Sequence, residues 1–333
     1  MSEKLNVITG ATGLLGSHIA ENLAARGERV RALVRPSSNA AFLKNLGVEI
    51  AMGDLNDLQS IRQAVSGAAI VYHCAARVGD WGPWEQYQAE TVSATHNLVE
   101  ACQAENVIRL LHVSSISVYG IIKSPKAPLA EDAPLGQHLW RWDNYARSKI
   151  MAEEEARKYP EHTIVRPSWI YGPRDRTTIP RVVPALRSGK VPIIGSGENY
   201  LNLIYAGDVA DGAIRAAQHA DARGQAYNLC SDGEVTQRNL LDTLTDALSL
   251  PRIQKHVPFY LANKFAFLRE CVARLLRRKK PPRITRRAIY LIGRPTLFSS
   301  VKARKQLGWF PQVNIQEGVK RSMEWYLAQE NKP

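Results

Sequence analysis

The chain reads as an α/β protein with a doubly wound parallel sheet and a smaller, interleaved C-terminal lobe. Three observations predict this. Short apolar runs alternate with longer helical patterns from residue 5 to about 165, a glycine-rich turn joins the first run to the first helix, and the alternation loosens after residue 166. The 333 residues suffice for a full core with a further lobe, and 45% hydrophobic with 23% charged residues is ordinary for a chain that packs throughout.

The expected strands are Leu5–Thr9, Arg29–Val34, Val48–Ala51, Ala69–His73, Ile108–Val113 and Thr163–Arg166. Each is mostly apolar, as a strand covered by helices on both faces must be. Between them, helices are expected over Leu14–Arg26, Trp84–Glu105 and Asn144–Tyr159, the last stopped by Pro160. Beyond residue 166 a further strand is expected at Ala226–Leu229, with helices near 207–219 and 237–248. Residues 1–166 are thus expected to form one domain, with segments near 204–230 returning to it. Residues 167–333 would mainly form the second lobe, including a basic amphipathic segment over 252–305.

Gly10-Ala11-Thr12-Gly13-Leu14-Leu15-Gly16 follows the first strand at once and opens the first helix. Glycines there permit a tight turn, let backbone N–H groups approach a pyrophosphate, and allow the helix to pack closely on its strand. The first domain is therefore expected to bind a dinucleotide. An acidic residue at the end of the second strand usually accepts bonds from the adenosine ribose. Here that position falls near Val34 and is followed by Arg35, so NADP(H) is expected ahead of NAD(H), because arginine can fork a phosphate.

Tyr145-Ala146-Arg147-Ser148-Lys149 puts a phenol and an ammonium one turn apart on one helix face. A nearby cation favours the ionised phenol, which suits Tyr145 to proton transfer near neutral pH. The fifth strand runs into Ser114-Ser115-Ile116-Ser117-Val118-Tyr119, placing hydroxyls at the carboxyl edge of the sheet, where open α/β sheets bind ligands. The order of glycine turn, serine and YxxxK carries more weight than any one of them.

Cys74, Cys102, Cys230 and Cys271 are scattered, without the spacing of a metal site, so no metal is expected and the thiols are read as reduced. The opening MSEKLNVITG has no signal-peptide stretch, and a cytoplasmic location is expected.

Taken together these motifs resemble the extended short-chain dehydrogenase/reductase family, also called the NAD-dependent epimerase/dehydratase family, over nearly the whole chain. The resemblance implies a Rossmann domain, with Tyr145 exchanging a proton with the substrate oxygen, Ser115 hydrogen-bonding that oxygen, and Lys149 depressing the phenol pKa and holding the nicotinamide ribose. Ser115 rather than Ser114 has the family's spacing, four before Tyr119. It further implies cofactor contacts at Asp54 and Leu55 on the adenine side, at Ala75 and Ala76 beneath the cofactor, and at Pro167 near the nicotinamide. Thr91 stands where members often carry Asn, so that residue's role is not carried over. A homodimer is common in the family.

Sugar-nucleotide members typically have Asn where Trp169 stands and an RDF-like segment where Leu201-Asn202-Leu203 stands. The segment Tyr205-Ala206-Gly207-Asp208-Val209-Ala210 instead resembles the 3β-hydroxysteroid dehydrogenase branch. The expected substrate is thus a small hydrophobic alcohol or ketone, steroid-like or lipid, met by Trp81, Trp84, Trp169 and Tyr205. The alternatives are a sugar-nucleotide epimerase or dehydratase and, in another class, a non-catalytic cofactor-binding sensor.

The net charge of +13 is concentrated: sixteen Lys/Arg and one acidic residue, Glu270, lie between Arg252 and Lys305. Residues 259–280 combine many apolar side chains with charges that make a poor membrane span. Two readings stand side by side, a helix resting on an anionic membrane and a lid over the substrate site. No stacking platform accompanies the charge, so nucleic acid is not expected.

Overall fold

Seven strands, β1 (Leu5–Thr9), β2 (Arg29–Val34), β3 (Glu49–Met52), β4 (Ala68–His73), β5 (Arg109–Val113), β6 (His162–Pro167) and β7 (Ala226–Leu229), form one parallel sheet in the computed structural model of the protein. The structure describes residues 4–122, 127–231, 235–294 and 297–330, so residues 295 and 296 of the basic segment lie outside it. The strand order is β7-β6-β5-β4-β1-β2-β3. The chain winds outward from β1 in one direction and restarts at β4 in the other, which creates a switch point between β1 and β4. Every expected strand is present to within a residue at either end.

Helices α1 (Leu14–Ala25), α2 (Leu58–Val65), α3 (Ala94–Ala104), α4 (Asn144–Arg157) and α5 (Ala206–Gln218) cover the sheet. Successive strand residues face opposite sides, so Ile8 joins one core with Ile19, Tyr72, Ile214 and Trp309, while Val7 joins another with Ile61, Leu98 and Leu110. Strand β7 pairs with β6 and α5 packs on α1, which brings residues 206–229 back to the sheet.

The helix expected over Trp84–Glu105 is not one α-helix. A short turn at Trp84–Tyr87 leads into a π-helical turn at Gln88–Ser93 before α3 begins. Thr91 sits in that turn with its Oγ1 accepting the Arg77 N–H at 3.0 Å, while Thr95 donates to its carbonyl at 2.7 Å. Side-chain bonds of this kind compete with the regular ladder and tie the π-turn to the loop after β4.

A third core, including Val183, Leu203, Leu244 and Val319, belongs to the chain after β6. The basic segment folds as α6 (Phe259–Leu275) and α7 (Arg286–Gly293), packed on each other through Ala262, Ala266 and Ile289.

Candidate active site

The glycine turn lies at the switch point. Gly10 has φ +68°, and a Cβ there would come within 2.7 Å of the Ala75 nitrogen in the turn after β4; at Gly16 a Cβ would overlap the Gly10 carbonyl. Only glycine allows these approaches. Helix α1 starts at Gly13 with no capping side chain and no acidic residue in its first turn. Its positive end is therefore left for an outside anion. Thr12, Gly13 and Leu14 lie toward the outside of this turn while Leu15 is buried in the core. These residues fit a dinucleotide pyrophosphate: the cradle has backbone donors, no carboxylate, and no room for Cβ atoms behind it.

Arg35 is exposed directly after β2, where Ser38 closes a turn by donating to its carbonyl at 2.9 Å. Past β3, Asp54 accepts the Asn56 backbone and side-chain N–H groups, both at 2.9 Å, and the Leu55 carbonyl accepts from Asn97 at 2.9 Å. Both loops are thus held in place before any ligand arrives. Ala75 and Ala76 are half-buried in the turn after β4, Ala75 against Gly10, and Pro167 is the buried last residue of β6.

The three proton-handling candidates come from β5 and α4. Helix α4 is capped by Asp143, whose Oδ1 accepts the Ala146 N–H at 3.1 Å. Burial pushes the Tyr145 phenol above its ordinary pKa, and the nearby Ser115 hydroxyl acts in the opposite direction. Ser115 also accepts the Ser117 N–H at 3.2 Å, which holds its side chain. Ser114, its neighbour, is buried. Lys149, one turn beyond Tyr145, is buried and donates to the Val113 carbonyl at 2.9 Å. Burial lowers its pKa to about 8, against the pull of Cys74 and Glu153.

The sequence pointed to Lys149 as the cation acting on Tyr145; the charge that lowers the phenol pKa in the structure is that of Arg287. Arg287 lies 5.4 Å from the Tyr145 ring centre and pairs with Asp143 at 2.6 Å, and its charge is what most opposes the burial of the phenol. Nothing local in the sequence could mark Arg287, which lies far down the chain in the basic segment. The only signal was the density of arginine there.

Several buried polar groups hold the site without facing it. Arg166 forks Glu153 of α4 at 2.9 and 2.8 Å and donates to Tyr119 at 2.9 Å, and Tyr119 donates in turn to Asn228 at 2.7 Å. This network ties α4, β6, β7 and the turn after Ser115 together. His73, bonded between Thr9 and Thr95, is held near pKa 3 by burial and stays neutral.

The four aromatic pocket candidates separate. Trp81 and Trp142 sandwich Arg274 at 4.4 and 4.5 Å, and the Trp81 indole donates to the Arg278 carbonyl at 3.1 Å. Trp84 lies beneath Arg147, at 5.5 Å. Trp169 belongs to a short strand, Trp169–Tyr171, paired with Leu203–Tyr205, and its indole donates to Thr178 at 3.0 Å. Tyr205 is buried against His18 and Tyr171.

The basic segment is docked on the loops around Tyr145. Beyond the Arg287 and Arg274 contacts, Arg286 stacks on Trp140 at 4.2 Å, Thr285 bonds Asp80, and the Tyr290 hydroxyl bridges the Ile122 backbone at 2.8 and 2.9 Å. All four cysteines are free, and the described residues hold no His/Cys/Asp/Glu cluster able to bind a metal.

Residues 6–230 match the model of the NAD dependent epimerase/dehydratase family. The 2-alkyl-3-oxoalkanoate reductase of Stenotrophomonas maltophilia is 31% identical, over 95% of this chain and 97% of its own length. Mouse sterol-4-alpha-carboxylate 3-dehydrogenase, decarboxylating, is 29% identical over 97% of this chain and 91% of its own, in keeping with the expected likeness to steroid dehydrogenases. Among solved structures, gox2253 superposes with a TM-score of 0.82 at 28% identity, over 99% of this chain and all of that one. The chain belongs to the NAD dependent epimerase/dehydratase family and is an NAD(P)-dependent oxidoreductase acting on hydroxyl and ketone groups.

Proposed function

We propose that the protein interconverts a secondary alcohol and a ketone on a hydrophobic, lipid- or steroid-like molecule, with Ser115, Tyr145 and Lys149 as its catalytic group and NADP(H) as the preferred coenzyme. The observation that carries this reading is the placement of Ser115 just after β5 and of Tyr145 one turn before the buried Lys149, whose ammonium reaches the Val113 carbonyl at the end of the same strand.

In this mechanism Ser115 donates a hydrogen bond to the substrate oxygen, and Tyr145 gives that oxygen a proton in reduction or removes one in oxidation. Lys149 keeps a positive charge beside the reacting group up to about pH 8. The bound nicotinamide supplies or accepts the hydride. Gly10, Thr12, Gly13, Leu14, Leu15 and Gly16 would form the pyrophosphate cradle, with the uncapped N–H groups opening α1 as its donors, Asp54 and Leu55 would border the adenine, and Ala75, Ala76 and Pro167 would line the cofactor's path. Arg35 would fork the 2′-phosphate of NADP(H).

The apolar reading is supported by the two places where sugar-nucleotide members carry polar anchors. Trp169 pairs in register with Leu203, and Leu201 is fully buried. The names of the two relatives above, 2-alkyl-3-oxoalkanoate reductase and sterol-4-alpha-carboxylate 3-dehydrogenase, both place the reacting oxygen on the carbon β to a carboxylate. Arg287 beside Tyr145 suits such an anionic substituent, so long-chain 3-oxo acids head the substrate list.

The test follows NADPH absorbance with 3-oxo acids, ketosteroids and sugar nucleotides, for the wild type and Tyr145→Phe. Turnover of an apolar ketone that drops about a hundredfold or more in the variant, with NADPH binding retained, is expected. Turnover of sugar nucleotides alone, or an unchanged variant, would overturn the reading.

A further inference from the structure

Helix α6 has two faces of opposite character. Ala262, Ala266, Glu270 and Ala273 point inward onto α7 and the body of the protein. Leu261, Phe265, Leu268, Val272 and Leu275, spaced by four, three, four and three residues, form a single stripe facing out. Leu268 is 62% and Leu275 83% exposed, where isolated surface leucines would need no explanation but a continuous row does.

Cations border the stripe. Lys264 and Arg269 lie on its two sides and fold over Tyr260 and Phe265, at 4.3 and 5.8 Å from the ring centres. Arg277, Arg278, Lys279 and Lys280 continue directly from the helix end. Long cationic side chains whose charged ends rest on rings at the edge of an apolar stripe can swing those ends outward to headgroups while their stems stay on apolar surface. At 17 residues with several charges α6 cannot span a bilayer, and no helix among the described residues is long and apolar enough to do so.

We infer that the outer face of α6 seats the protein on an anionic lipid bilayer, its apolar stripe at the acyl boundary and its basic residues on the headgroups. A second copy of the chain is the poorer partner, because a two-fold axis through this face would bring identical cationic clusters together. The consequence for the proposed reaction is positional. The inner side of the same hairpin contacts Trp81, Trp142, Asp143 and Tyr145, so a seated α6 holds the acid/base group close to the layer in which a lipid-like ketone is dissolved.

Flotation with phosphatidylcholine vesicles, with and without phosphatidylglycerol, tests this on the full chain. The wild type should float with the anionic vesicles at low salt and be released as salt rises. Leu268→Glu with Leu275→Glu should weaken partitioning by about tenfold or more, with unchanged far-UV circular dichroism, melting temperature and turnover of a water-soluble ketone. Lys279→Glu with Lys280→Glu should abolish only the preference for anionic vesicles. No flotation at low salt overturns the inference, as does flotation insensitive to the leucine changes. A wild-type dimer that the leucine changes convert to monomer in the absence of vesicles overturns it too. Flotation is read independently of turnover, so an inactive wild type that floats would sink only the proposed reaction.

Discussion

The Arg287 guanidinium lies 5.4 Å from the centre of the Tyr145 ring while its Nη1 pairs with Asp143, the residue that caps the helix carrying Tyr145. A residue from the C-terminal hairpin thereby sets both the position and the charge environment of the phenol. Tyr145 is pushed up by burial and pulled down by Arg287 and Ser115, with Asp143 opposing them.

Arg287→Met should therefore move the phenol pKa upward. In the oxidation direction, where the ionised phenol is the base, the rising limb of the pH–rate profile should shift to higher pH, with turnover near neutral pH down about tenfold. Arg287→Lys should restore much of the profile. An unchanged limb in Arg287→Met would leave the residue a purely structural partner of Asp143.

Lys149 offers a second pH test, on stability. Its folded pKa of about 8 lies below its ordinary 10.5, so burial of the charge costs stability at and below pH 8. Between those values the unfolded chain binds more protons than the folded one, and stability rises with pH across that window. Lys149→Met should stabilise the protein free of cofactor at pH 7 by on the order of 3 kcal/mol. The gain should shrink toward zero as pH climbs from about 8 past 10, measured by denaturant unfolding. A gain constant with pH would contradict the buried charge.

Glu153→Gln should destabilise strongly, because it strands the Arg166 guanidinium, buried with 2% exposure, without its forked partner. The expected loss is about 3–5 kcal/mol. Changing both residues to apolar ones of similar size should cost much less, and the double-mutant comparison reads the coupling.

Arg35→Ala should weaken NADPH binding by about tenfold or more while leaving NADH nearly untouched, as expected for a phosphate fork. Fluorescence titration of the two coenzymes decides it, and an equal loss for both would remove the basis for the coenzyme preference.

Much of this site was legible in the chain itself. Gly10 and Gly16 must be glycine because their neighbours leave no space for a Cβ, and Tyr145 and Lys149 share a face because a helix repeats every 3.6 residues. Strand positions followed from runs such as Leu5–Thr9 and Ile108–Val113, apolar enough to be buried on both sides. These are local consequences of backbone geometry and burial, which short stretches of sequence carry.

Other features needed the folded chain. The π-turn at Thr91 is tied by a bond to the distant Arg77 backbone, and the Arg166 fork depends on β6 passing beside α4. The pairing of Arg287 with Asp143 joins residues 144 positions apart. Charge acts through space and not along the chain, so sequence could count the arginines between 252 and 305 but could not say which one faced a catalytic phenol and which would meet solvent. Only tertiary packing made that division, turning one side of a basic hairpin toward Tyr145 and leaving the other, with its row of leucines, outside.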